Sequence, residues 1–473
     1  MRIARHGKDL VLKFAYNTEI IRLVKLMTGA RWNPKIKVWT VLDCEHNMFL
    51  LEEAEGMYPR VNWEEPIKPI NDFIRPLFQH QRDIVSFILN RRTGFISATM
   101  GTGKTLASIE IMERSNINNW WYVAPKSALL SVDFEMEKWD CEVYPRFMTY
   151  EGLVKTLKTH TGISPDGVIF DESHKIKTPN SLRTKAAQFL TENMRDEHDD
   201  PIIMCMTGTP APKNPLDWYS QLETLQPGFI PEGDWYKFRK RVAIVKTVDL
   251  SEDDNTQASH SYSTVEGWKE VALSEFHNII NGSIAIFVDK ADCLDLPEKI
   301  YTELVVPMTS QVKARYKFLL ANSGTTIEAL NKCRQLSDGF IYSDGKAIPV
   351  SDNPKLEMLE DLVTGKNRVV IFAGFIESIN LVRGKMKDLG WRVINSSDKD
   401  FKDGIRDFMD VNNEEPIAFV NHPKSGGTGL NLTASDTIIY YSNDFDGESR
   451  MQSEDRIHRP GCVGAHIIDL YHL

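Results

Sequence analysis

The sequence predicts an α/β protein made of two tandem lobes, each on a parallel sheet, behind a small α+β unit at the N-terminus. Three observations predict it. From about residue 73, short β-rich runs alternate with helical segments, the pattern of a parallel sheet with crossover helices. A second run of the same kind starts near residue 300. The first forty residues instead read as strand, helix and hairpin, and a stretch with three prolines (58–72) separates them from the rest.

Taken in order, residues 9–14 (DLVLKF) predict a strand. Asn17 and Thr18 can cap a helix with Ile20, Ile21, Leu23 and Val24 on its apolar side, and Gly29 can end it. Arg31-Trp32 and Ile36 to Val41 flank Asn33-Pro34-Lys35 as a hairpin would. The first α/β run has strand candidates at Gly94 to Ala98, Trp120 to Ala124, Gly167 to Phe170 and Pro201 to Met206, with helical periodicity at Thr105 to Arg114 and Leu216 to Leu225. Residues 247–267 are polar and acidic with no apolar period, which predicts an exposed loop or mobile insertion. The second run has strand candidates at Tyr301 to Val306, Arg368 to Phe372, Ile417 to Val420, Thr437 to Tyr441 and His466 to Leu470. These readings divide the chain into residues 1–66, a first lobe at 67–230, a helical or irregular insertion at 231–299 and a second lobe at 300–473.

The chain is 42% hydrophobic and 26% charged, ordinary for a soluble globular protein. Its six cysteines are scattered without C-x-x-C spacing or a Cys/His cluster, which predicts free thiols in a reducing compartment and no zinc. The charged N-terminus has no apolar stretch behind it, and the longest apolar runs, such as Val369 to Phe375, are far too short to span a bilayer. A cytoplasmic location without membrane partners is expected. Net charge is −10, yet residues 1–40 hold nine Lys/Arg against Asp9 and Glu19; that segment carries +7 and the remainder −17. Such asymmetry suggests a nucleic-acid-binding module on an acidic machine; the alternative is a solvated basic face.

Residues 98–105, Ala-Thr-Met-Gly-Thr-Gly-Lys-Thr, follow a predicted strand and open a helix, the context of a phosphate-binding loop. Gly101 and Gly103 let backbone N–H groups of Met100 to Lys104 turn toward phosphate oxygens, Lys104 brings a point charge, and the Thr105 hydroxyl can bind Mg²⁺. Asp171 and Glu172 end an apolar strand 67 positions beyond Lys104, at a sheet edge where α/β proteins bind ligands. There Asp171 would hold Mg²⁺ through water and Glu172 would deprotonate the attacking water. Arg456 and Arg459 are spaced i, i+3, so a helix would place both on one face. They read as arginine fingers on the far wall of an ATP cleft between the lobes, or as a surface salt-bridge helix with Glu454 and Asp455.

These residues resemble the Swi/Snf-type branch of superfamily-two helicases and translocases over roughly 75–473. Ala98 to Thr105 is similar to that superfamily's motif I, and Asp171-Glu172-Ser173-His174 to its DExH motif II. Gln81 matches the upstream glutamine that reads adenine. Ala124-Pro125-Lys126-Ser127 resembles motif Ia, Thr207-Gly208-Thr209-Pro210 motif III, and Val370-Ile371-Phe372 motif IV. Ser425 to Thr433 resembles motif V and Gln452 to Gly461 motif VI. The resemblance implies two RecA-like P-loop lobes and ATP hydrolysis with Mg²⁺. It implies nucleotide contacts from Gln81, Met100, Gly101, Thr102, Gly103, Lys104, Thr105, Gly429, Arg456 and Arg459. It implies DNA contacts from Lys126, Ser127, Thr209, Ser425, Gly426 and Thr428. Two departures stand out. Between the lobes, Ala285 to Lys290 occupies the place of a usual arginine pair ahead of Leu296-Pro297, and the sequence stops at Leu473, soon after motif VI, so that the family's usual C-terminal brace is absent or cut off.

The N-terminal unit resembles a HARP-like module, the accessory domain of annealing helicases, at Phe14-x-Tyr16, Arg31-Trp32 and Lys37-Val38-Trp39. Arg31, Trp32, Lys37 and Trp39 would then contact DNA, the tryptophans stacking on unpaired bases and the cations holding phosphates; the alternative is that both tryptophans form the module's core. The resulting expectation is a monomeric ATP-driven motor that remodels forked or branched DNA, in a setting that suits a phage or bacterial repair helicase. The rivals are a duplex translocase that displaces proteins without separating strands, a non-hydrolysing ATP-gated DNA clamp, and an RNA motor.

Overall fold

A computed structural model describes the chain except residues 1, 7–8, 14–17, 34–37, 45, 49, 52–68, 160–163, 213, 231, 250–260, 344, 351–352, 425–429, 444–445 and 473. By packing, it divides into one unit of Met1–Thr99, Gly103–Lys126 and Met136–Asp289, and another of Met100–Thr102, Ser127–Glu135 and Lys290–Leu473.

The first unit begins with a four-stranded antiparallel sheet in the order β1-β2-β4-β3, formed by β1 (Arg2–His6), β2 (Asp9–Lys13), β3 (Arg31–Asn33) and β4 (Val38–Leu42). The helix Thr18–Leu26 packs Ile20 and Val24 on Leu10, Leu12 and Val41. Three predicted elements appear here, and β1 is additional. The hairpin pairs Trp32 with Trp39 in register.

Then come β5 (Thr93–Ala98), β6 (Trp120–Val123), β7 (Arg146–Met148), β8 (Gly167–Asp171), β9 (Ile202–Thr207), β10 (Ala243–Asp249), β11 (Ser261–Trp268) and β12 (Ala285–Val288). Six of these build a parallel sheet in the order β12-β5-β9-β8-β6-β7. Its central strands are apolar throughout because helices cover both faces, leaving no polar side for alternation. Two expectations are corrected here. The 231–299 segment is not wholly an insertion: Ala285–Val288 pairs with β5, and Val288 O accepts the Thr99 N–H at 3.0 Å, so this sheet recruits a strand from beyond residue 230. Residues 247–249 and 261–267, expected as loop, lie in the β10–β11 ladder. Thr247, Val248, Tyr262, Thr264 and Val265 favour extended backbone, and a two-stranded ladder satisfies its hydrogen bonds without a buried face, so no apolar period was needed.

The second unit holds β13 (Lys299–Val306), β14 (Phe340–Ser343), β15 (Lys346–Pro349), β16 (Arg368–Phe372), β17 (Arg392–Ile394), β18 (Ile417–Asn421), β19 (Thr437–Tyr440) and β20 (Ala465–His472). Its six-stranded parallel sheet runs β13-β20-β19-β16-β18-β17. Strand periodicity splits its side chains cleanly. Val369, Ile371, Val420, Ile439 and Ile468 pack on one face, and Val370, Phe372, Phe419, Ile438 and Ile467 on the other. Two tandem RecA-like α/β lobes are therefore the fold. No described helix is long and apolar enough to cross a membrane.

Candidate active site

Sheet order makes the site in the first unit. Strands β5, β9 and β8 are neighbours, so the loops leaving their C-terminal ends meet at one edge. The loop after β5 carries Met100 to Thr105; Asp171 ends β8, and Thr207 ends β9.

The helix Lys104–Arg114 starts with no side-chain cap, and its N-cap Gly103 has φ 77°. Its first N–H groups have no partner within the helix, which suits an anion. Gly103 suits this left-handed turn, and a Cβ there would stand 2.1 Å from Gln81 Nε2 and force that side chain to shift. Gln81 is buried, donating to Gly103 O at 3.3 Å and accepting from the Phe78 N–H at 2.9 Å, so it braces the loop's last turn. Lys104 Nζ donates to Ala98 O (2.6 Å) and Thr99 O (3.3 Å), carrying its charge across the loop mouth. Thr102 is buried, while Met100, Gly101 and Thr105 are half-buried.

The two carboxylates are buried but differently held. Asp171 Oδ1 accepts the Glu172 N–H at 2.8 Å and Oδ2 accepts the Tyr122 hydroxyl at 3.2 Å. Burial, then the Glu172 charge, push its carboxyl up to about 7, with Lys104 opposing. Burial acts on Glu172 too, but hydrogen bonding and charge from His174, with Lys104 and Thr207, outweigh it and hold Glu172 below the usual range. Glu172 therefore remains an ionised acceptor beside a carboxyl that binds a proton readily. Its backbone is left-handed at φ 51°, rare for a side chain of this size and a form of strain that clusters at functional sites.

Among the described residues no group of three or more His, Cys, Asp or Glu side chains could hold a metal by itself. The donors fit magnesium in another way: a buried carboxylate beside a phosphate-binding loop matches an ion held mostly by phosphate and water. A cation there would keep Asp171 ionised.

Thr207 was absent from the expected site. Its hydroxyl donates to Glu172 Oε2 at 2.9 Å, lies 3.2 Å from His174 Nδ1 and accepts the Thr209 N–H at 3.2 Å. Its alignment with a Thr-Gly-Thr-Pro motif was the available signal. Thr207→Val keeps the shape and deletes this hub. We expect ATP turnover to fall about tenfold, with KM and the melting temperature nearly unchanged, in steady-state kinetics and calorimetry. Wild-type turnover would mean that Glu172 needs no such support.

Lys126, exposed, follows β6, and Thr209 follows β9, both at the same sheet edge. Ser127 opens the helix Lys126–Lys138 beside Lys126. Ser425, Gly426, Thr428, Gly429, Lys37, Phe14 and Tyr16 lie outside the described residues.

In the second unit, Arg456 and Arg459 do not share a helix face. The helix Gly447–Glu454 ends before them, and the chain continues as turns through 455–461 to Pro460 and Gly461 (φ 92°). Arg456 is 1% exposed, lies over the Phe372 ring (5.3 Å) and donates to Pro423 O at 2.7 Å. Arg459 is half-buried, its Nε donating to Asp455 O at 2.8 Å. Glu454 and Asp455 do form ion pairs, but with Arg450, Lys290 and Lys299.

In the N-terminal sheet, Trp32 is 48% exposed and Arg31 is exposed, whereas Trp39 is half-buried and packs against the small core. The two rings meet at 5.5 Å and 47°. The reading of both tryptophans as core holds only for Trp39.

Comparison with known proteins places this geometry in context. A family model, SNF2-related domain, matches residues 113–354, a span that includes Asp171, Glu172 and Thr207. The SWI/SNF-related matrix-associated actin-dependent regulator of chromatin subfamily A-like protein 1 of Xenopus tropicalis is 23% identical, over 95% of this chain and 51% of its own. The ISWI chromatin-remodeling complex ATPase CHR11 of Arabidopsis thaliana is 23% identical, over 79% of this chain and 38% of its own. An uncharacterized ATP-dependent helicase of Mycoplasma pneumoniae is 23% identical over 82% and 39%. Among solved structures, the Sulfolobus solfataricus SWI2/SNF2 ATPase core in complex with dsDNA aligns over 86% of this chain and 90% of that one. The identity is 20% and the TM-score 0.39. The chain spans about half or less of the length of these curated relatives.

Proposed function

Because the chain belongs to the SNF2-related family, matched over just more than half its length, we propose that it is a DNA-stimulated ATPase that moves on DNA and remodels forks or branches. The observation that carries the ATPase reading is the meeting of Lys104, Asp171, Glu172 and Thr207 at one sheet edge. A nucleotide's phosphates would lie on the uncapped helix start, with Lys104 turning from loop carbonyls to phosphate oxygens. Magnesium, when bound, would neutralise phosphate charge next to Thr105 and Asp171. Glu172, ionised and aimed by Thr207 and His174, takes the proton of the attacking water. The family resemblance gives Arg459 the role of adding positive charge to the transferring phosphoryl group.

DNA would run along the edge carrying Lys126, Ser127 and Thr209, and along the Ser425 to Thr428 stretch of the second lobe. Those contacts go to phosphate, so sequence preference is weak and salt sensitivity strong. Thr207 links the Thr209 backbone to Glu172, a route by which DNA could set the base. One observation favours this reading over the duplex translocase. Arg31 and Trp32 are exposed together on the basic N-terminal unit, where an unpaired base could stack. The Xenopus match also leaves at most a twentieth of this chain uncovered, so it reaches into residues 1–66, which the Arabidopsis match need not.

Deleting residues 1–66 should leave duplex-stimulated ATPase within about twofold while cutting fork and four-way-junction activity about tenfold or more. Trp32→Ala should reproduce most of that loss at a stability cost of only about 1 kcal/mol, since its half-exposed ring touches the core through Trp39. Unchanged junction activity in both variants would remove the targeting role and favour the duplex translocase.

A further inference from the structure

The chain leaves the first unit at Asp289 and enters the second at Lys290. Sequence showed only a missing arginine pair at this crossing; the structure shows what stands there. Lys290 Nζ spends all three donors on one turn: Asp455 Oδ1 at 3.1 Å, His458 O at 2.6 Å and His458 Nδ1 at 2.9 Å. His458 Nε2 lies 2.7 Å from Pro297 O. The neutral imidazole with its proton on Nε2 satisfies both bonds, and burial, with the Lys290 charge adding to it, lowers the ring's affinity for a proton. At the other end of the crossing, Lys299 Nζ pairs with Glu454 Oε2 and Asp455 Oδ1, each at 3.1 Å. The Tyr301 hydroxyl adds a bond to Glu454 Oε2 at 2.9 Å. Residues 290–301 therefore clamp the 454–458 turn at both flanks. Arg459 follows directly and hangs by its Nε from the Asp455 carbonyl.

We propose that Lys290 and Lys299 are positioning residues for Arg459: the crossing segment itself, through Asp455 and His458, fixes where the guanidinium is presented. This rests on the reading of Arg459 as the group that meets the phosphates. Both lysines and Asp455 are largely buried, so losing Asp455 leaves Lys290 without a countercharge, and losing Lys290 removes three bonds that hold the turn. A misplacement of about 1 Å at a catalytic cation can cost turnover about 10²-fold, more than it costs ground-state binding.

The test uses the full chain. Lys290→Met keeps the stem and removes the donors; we expect kcat for DNA-stimulated ATP hydrolysis to fall about 10- to 100-fold. ATP affinity, measured at equilibrium in the Glu172→Gln background, should change by less than about twofold. Combined with Arg459→Ala, Lys290→Met should add no further loss, because both act through one guanidinium. Asp455→Asn removes the partner charge and should repeat the pattern, which covers a Lys290→Met chain that fails to fold. Wild-type turnover in Lys290→Met and Asp455→Asn while Arg459→Ala is slow would overturn this proposal alone, as would full additivity. Wild-type turnover in Arg459→Ala itself would overturn the finger reading on which it rests.

Discussion

Glu172→Gln should bind ATP and DNA as the parent does and lose turnover by about 10²- to 10⁴-fold, the range for removal of a general base. The substitution is close to isosteric. The amide oxygen can still accept from the Thr207 hydroxyl, which now stands 2.9 Å from Glu172 Oε2, and the left-handed backbone at φ 51° is no worse for Gln than for Glu. Folding should therefore be unaffected and the melting temperature should stay within a few degrees. What disappears is a carboxylate that the site keeps ionised despite burial, by contacts from His174, Lys104 and Thr207. Single-turnover hydrolysis beside equilibrium nucleotide binding separates the two effects. Full turnover would remove the base assignment and leave the non-hydrolysing clamp in play.

Arg459→Ala and Arg456→Ala should fail for different reasons, although sequence spacing treats them as a pair. Arg459 is half-buried and its Nε donates to the Asp455 carbonyl. Its truncation should leave stability near wild type and cost about 10³-fold in turnover, as expected for a lost arginine finger. Arg456 is buried on Phe372 and Pro423, within the apolar side of the second sheet. Removing it forfeits a cation–π contact and a charged hydrogen bond, together about 2–4 kcal/mol. That should lower the melting temperature of the second lobe by about 5–15 °C. Calorimetry and steady-state ATPase on the two variants check this directly. An Arg456→Ala chain of native stability would show that its burial is not structural.

How far sequence reached depends on where the governing interaction lies along the chain. Most central strands of both sheets were legible because a strand covered on both faces is an unbroken apolar run, as in Val-Ile-Phe before Asp171 or Val-Val-Ile-Phe at 369–372. The phosphate loop was legible because its glycines and lysine are contiguous. What escaped depends on partners distant in sequence. Ala285–Val288 reads as strand only once β5 is known to lie beside it. Thr207 gains its role from Glu172, 35 residues away, and Lys290 from Asp455, 165 residues away. The shared helix face for Arg456 and Arg459 was a local inference that a Pro-Gly turn and a buried pocket overrode. Trp32 and Trp39 show the same limit: adjacent in register, one joins the core and the other faces solvent, a division that pairing register and the helix position decide.

The central claim is that ATP turnover in this chain answers to DNA structure. It is tested most directly by measuring ATPase rates on single-stranded, duplex, forked and four-way DNA, for the full chain and for the chain lacking residues 1–66. We predict stimulation by every DNA containing duplex, highest on forks and junctions for the full chain, with that preference lost in the truncated one. A rate that no DNA changes, in a chain that binds ATP, would contradict the account.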